Sequence, residues 1–127
     1  MPRTEVRAFR AADGNVPLLE WLDALSRTVR VKCNARVRRL AELGHELRRP
    51  YAALLRDGIY ELRIRRGRVN YRVLYFFHGR QAVVLSHGTT KERRVAERDI
   101  EQALRNKAQY LTDPDRYAVR ILEVAGP

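Results

Sequence analysis

One cysteine, one methionine, one tryptophan and three histidines are spread through 127 residues, and each scarcity removes a class of protein. Cys33 has no partner for an internal disulfide. The fold must therefore rest on its own core, which a chain of this length is large enough to bury. His45, His78 and His87 are scattered, with no second cysteine and no H-x-x-x-H spacing to complete a zinc set. No metal or cofactor is called for. No apolar run reaches the length of a signal-peptide core or a transmembrane span, so a reducing cytoplasm is the expected compartment and a membrane is not an expected partner. Repeats, low-complexity tracts and Gly/Ser linkers are missing before the last fifteen residues. A single domain over 1–127 is expected, with 113–127 as a tail.

What the chain has in excess is positive charge. Twenty-six Lys and Arg against fifteen Asp and Glu leave a formal net charge of +11, and such an imbalance points to phosphate-bearing partners. Much of it is concentrated in "GIYELRIRRGRVNYRVLYFF" (58–77), a hairpin-like stretch with five arginines. In its first half Tyr60, Leu62 and Ile64 alternate with Glu61, Arg63 and Arg65, the period of a strand with one face in the core. In its second half Val69, Tyr71, Val73, Tyr75 and Phe77 share one face, and Asn70, Arg72, Leu74 and Phe76 the other. A two-residue turn at Arg66 and Gly67 sets Glu61 opposite Arg72; a four-residue turn sets Arg63 opposite Arg72. Either register collects 61, 63, 65, 70 and 72 on one face.

The rest of the chain supplies the frame. Residues 4–10 suit a short strand. Asn15 and Pro17 open a helix carrying Leu18, Leu19, Leu22 and Leu25 and ending near Ser26. A second helix starts near Thr28, with Val29, Cys33, Val37, Leu40 and Leu43 on one stripe and Gly44 as its stop. Residues 44–57 read as irregular because Pro50 forbids a long helix. "QAVVLSH" (81–87) reads as a central strand ending at His87 and Gly88. Ala96, Ile100, Ala103, Leu104 and Leu111 mark a third helix, stopped by "TDPD" (112–115). The tail alternates weakly, as an added strand or an arm would. The predicted order is β-αα-βββ-α, an α+β domain with a mostly antiparallel sheet, an N-terminal helical hairpin and a C-terminal helix. Its helices are expected on one side and the arginines on the other.

The string "LLRDGIYELRIRRGRVNYRVLYFFHGRQAVVLSHGTTKE" resembles the RelE/HigB superfamily of type II toxins, in its phage-derived HigB-like (Gp49-like) branch. The layout agrees over roughly 4–111, most specifically over 54–91. The resemblance implies a metal-independent endoribonuclease that cleaves mRNA, in many members on the ribosome, and a neutralising helix-turn-helix antitoxin in a hetero-oligomer. Arg63, Arg72 and Lys91 match its phosphate-binding and basic positions; Glu61 falls where some members carry lysine.

Chemistry asks for the same parts. Cleavage by a neighbouring 2′-hydroxyl needs a base, an acid and cations for the developing charge. Arginine fills only the cationic role, so Arg63, Arg65 and Arg72 read as phosphate clamps. His87, Glu61 and Lys91 are the candidate proton carriers. Arg65, Arg66, Arg68, Arg93 and Arg94 are candidate RNA contacts. Two other classes stay open. One is a ParE-like toxin acting on DNA gyrase, which needs no basic catalytic face. The other is a non-catalytic RNA-binding module, for which charge suffices. The plainer reading of Arg72 is an ordinary cross-strand pair with Glu61, although Leu74 and Phe76 on its row would not surround an unengaged charge.

Overall fold

The computed structural model describes residues 4–80, 82–91 and 94–121. The elements run β1 (Glu5–Phe9), α1 (Pro17–Asp23), α2 (Arg27–Leu43), a 3-10 turn (Gly44–Glu46), β2 (Ala52–Arg56), β3 (Ile59–Arg66), β4 (Val69–His78), β5 (Ala82–Lys91), α3 (Glu97–Thr112) and β6 (Ala118–Arg120). They form one six-stranded sheet in the order β2-β3-β4-β5-β1-β6. Its neighbours are antiparallel except β1 and β5. The expected α+β class, the helical hairpin and the C-terminal helix are all present.

Local chemistry accounts for the element ends. Pro17 opens α1, where a missing N–H costs nothing. The expected Asn15 cap is not formed. Asn15 instead donates to the Asp13 carboxylate from its main chain and side chain, at 2.9 and 3.0 Å, and so closes the preceding turn. Ser26 caps α2 by accepting from the Val29 N–H at 3.3 Å, and Gly44 ends it at φ 54°.

The sheet is covered on both faces, which corrects the expectation of helices on one side. Helices α1 and α2 bury Leu18, Leu22, Val29, Cys33, Val37 and Leu40 against the row Leu62, Ile64, Val73, Tyr75, Val83 and Leu85. Burial there pushes the Cys33 thiol up to about 12, so it is a core group and not a reactive one. Helix α3 lies on the opposite face, where Ile100, Ala103 and Tyr110 meet Phe9, Ile59, Leu74, Phe76 and Val84. The apolar residues that continue Arg72's row are thus roofed by α3. The Tyr110 hydroxyl, fully buried, accepts from Arg7 at 2.6 Å and sits 2.7 Å from His78 Nδ1, tying the helix to β1 and β4.

Two strands lie outside the expected order. β2 forms in the stretch read as irregular, pairing Ala52 with Leu62 and Leu54 with Tyr60. β6, from the tail, pairs with β1.

Candidate functional site

Helix α3 covers only part of its face. Its first turn sits over β5, where Asp99 reaches His87, and beside β2, where Glu97 meets Arg56. Its last turn sits over Arg7 and His78. Toward the β3–β4 turn the strand pairing sets two cross-strand rows. One is Arg63–Arg72–Thr89; the next is Arg65–Asn70–Lys91.

The register follows from the turn. Arg66 pairs with Val69, so the two-residue loop is Gly67–Arg68 and not Arg66–Gly67. Gly67 takes φ 60° at the first loop position, the place where a type II′ hairpin requires glycine. Arg63 therefore lies directly opposite Arg72. Like charges in that position repel, and the sequence supplies the remedy two residues away. The Glu61 carboxylate is 3% exposed; its Oε1 accepts from Arg63 Nε and lies 3.5 Å from Arg72 Nε. One buried anion thus holds two guanidinium groups side by side, Arg72 10% and Arg63 35% exposed. Two cations around one carboxylate keep a net positive charge for a further anion.

Glu61→Gln should be costly for that reason. It leaves the facing arginines without their shared anion, and we expect a loss of roughly 2–3 kcal/mol. That lies below the ~3–5 kcal/mol of a fully buried pair, because water screens the Arg63 side. Urea unfolding at neutral pH measures it.

The remaining candidates fall in distinct places. Arg65 shares the face, is exposed, and donates from Nε to the Gly67 carbonyl at 3.0 Å. Arg66 and Arg68 are exposed at the hairpin tip. Lys91 ends β5, its main chain paired with Asn70, and Arg93 lies outside the described residues. Arg94 is exposed and lines a cleft of about 480 Å³ with Leu55, Arg56, Val95 and Ile100.

His87 is on this face, one row inside the arginine pair and under α3. A β-bulge between β4 and β5 puts Ser86 and His87 on the same side. Asn106 donates to Ser86 Oγ at 2.9 Å, and the same oxygen is hydrogen-bonded to His87 Nδ1, also 2.9 Å away, with the donor set by the ring tautomer. His87 Nε2 then faces Asp99 Oδ1 at 3.5 Å. Burial lowers the His87 pKa below 6.5, with Asp99 opposing in part. The unfolded chain consequently binds this proton more readily than the folded one. The neutral ring's contribution to stability is present above pH 6.5 and is lost as pH falls from 6.5 through the lowered value. His87→Gln should flatten stability against pH in that window, as read by thermal melts between mildly acidic and neutral pH.

Thr89 was not among the residues singled out from the sequence. It is buried and sits opposite Arg72. The apparent strand end at His87–Gly88 hid it, since β5 runs on to Lys91.

An arginine pair held by one buried carboxylate beside the β3–β4 hairpin marks a small, strongly basic α+β protein. The chain belongs to the phage-derived protein Gp49-like family, which matches residues 20–108 and is associated with toxin–antitoxin systems. An antitoxin is therefore the implied protein partner. No match to a curated protein was found. No helix among the described residues is long and apolar enough to cross a membrane.

Proposed function

We propose that the protein is the toxin of a type II toxin–antitoxin pair of the RelE/HigB kind. In this reading it is a metal-independent endoribonuclease that acts on mRNA in the cytoplasm, at the ribosome, and is neutralised by a helix-turn-helix antitoxin. The observation that carries the reading is the Arg63–Arg72 pair around buried Glu61 beside the exposed β3–β4 hairpin tip, with Arg63 partly open to solvent. A surface ion pair needs one arginine; two guanidinium groups fixed side by side match the two non-bridging oxygens of a phosphodiester.

In the reaction so proposed, the 2′-oxygen of the upstream ribose bonds to phosphorus and its proton passes to a base. The bond from phosphorus to the 5′-oxygen breaks, and that oxygen takes a proton from an acid. Arg72 and Arg63 stabilise the charge that grows on the non-bridging oxygens. Glu61, enclosed behind both, acts as the positioning anion. His87, with one ring nitrogen against Ser86 and the other against Asp99 under α3, serves this reading less well as the base than Lys91 at the end of β5.

Expression alone should arrest growth, and co-expression with the adjacent helix-turn-helix protein should restore it. Normal growth at confirmed soluble expression would reject the toxin reading.

A further inference from the structure

At the arginine rows β3 is the edge of the sheet, because β2 begins only at Ala52, opposite Leu62. The residue just before β2 is Tyr51, whose carbonyl accepts from the Arg63 N–H at 2.8 Å. Its side chain is 41% exposed, one of few large apolar groups left open to solvent. Helix α2 runs along this same edge. Lys32 reaches the Arg65 carbonyl at 3.5 Å, and the Arg36 guanidinium lies 4.1 Å from the centre of the Tyr51 ring.

Arg36 is the unusual member. It is half-buried, its Nε is enclosed without a hydrogen-bond partner, and no carboxylate pairs with it among the described residues. A cation in that setting is ordinarily matched by an anion. Cation–π contact with Tyr51 supplies part of that match and fixes the ring's orientation. What remains is Tyr51, 41% exposed, with Arg36 over its ring, Lys32 one helical turn from Arg36 and at the Arg65 carbonyl, and a main-chain hydrogen bond to Arg63.

We propose that Tyr51, Arg36 and Lys32 form a nucleotide subsite for single-stranded RNA next to the arginine pair. A base stacks on the Tyr51 ring, and Arg36 and Lys32 hold its phosphate. Stacking on an aromatic ring beside cations is how proteins grip single strands without reading sequence. The subsite takes the nucleotide flanking the one held by Arg63 and Arg72, and routes the strand around the edge of β3 toward α2. The inference rests on RNA being the ligand, as proposed above; it does not require cleavage.

The test uses the full-length protein and a short RNA, 2′-O-methylated throughout so that it cannot be cut, with 2-aminopurine at successive positions. Binding should quench the fluorophore at one position. Tyr51→Phe should keep quenching and affinity, while Tyr51→Ala should lose the quenching and weaken binding about tenfold, as expected for one lost base–aromatic stack. Arg36→Gln should weaken binding and flatten its salt dependence. Equal affinity and quenching in wild type and Tyr51→Ala would overturn the subsite, as would no RNA binding at low salt. If transcripts are never cleaved yet the Tyr51 effects hold, the nuclease reading fails and the subsite stands. If cleavage occurs and the Tyr51 effects are missing, the subsite fails alone.

Discussion

Replacing Arg72 with alanine should abolish transcript cleavage and growth arrest in a protein that still folds and still binds its antitoxin. Loss of a single preorganised donor to a developing oxyanion costs about 10²–10³ in rate. Among the described residues Arg72 and Arg63 are the guanidinium groups on the Glu61 carboxylate. Stability should change little, on the order of 1 kcal/mol, because Arg63 still neutralises Glu61 and the Arg63–Arg72 repulsion is relieved. Arg72→Lys should recover part of the activity, since lysine keeps the charge and loses the fork. Cleavage assays at matched expression and melting temperature decide it. Full activity in Arg72→Ala would mean that the pair with Glu61 is merely structural.

The largest expected effect on folding is at Gly88. It lies within β5 opposite Val73, under the indole of Trp21. A methyl group there would fall 2.1 Å from Trp21 Cδ2 and Cε3. The ring cannot slide away freely. Its Nε1 donates to Thr90 Oγ1 at 3.2 Å, and it meets the Tyr71 ring edge-on at 6.3 Å. Gly88→Ala must displace α1 from the sheet, and we expect a loss of about 3 kcal/mol and of roughly 10 °C in melting temperature. Differential scanning calorimetry measures both. The double substitution Trp21→Ala with Gly88→Ala should cost less than the two single changes added together, because the clash is gone.

Gly88 also shows where sequence reasoning stopped short. Glycine after an apolar run reads as a strand end, yet here it marks a close approach inside a strand that continues to Lys91. The alternating rows of β3 and β4 were legible because each has one face in a core, and period-two patterning reports that directly. The helices were legible from their apolar stripes. β2 was not, because Ala, Leu and Arg carry no strand preference and the strand exists through its pairing with β3.

The site was legible in its members more than in its arrangement. Glu61, Arg63 and Arg72 share a face in either hairpin register. That Arg63 and not Glu61 stands opposite Arg72 depended on Gly67 taking the first loop position. The covering of that face by α3 was not visible, because Leu74 and Phe76 demand a roof without saying which helix supplies it. The bulge that turns both Ser86 and His87 toward α3 left no mark on a stretch whose alternation it interrupts.

The most direct measurement of the central claim is the chemistry of the RNA ends. Transcripts recovered after induction should be newly cut, carrying 5′-hydroxyl and 2′,3′-cyclic phosphate or 3′-phosphate ends. A transcript with deoxyribose upstream of the cut should resist, because the attacking oxygen is missing. Intact transcripts under growth arrest, or ends with 5′-phosphate and 3′-hydroxyl, would contradict the assignment of Arg63 and Arg72 to a 2′-hydroxyl-driven cleavage.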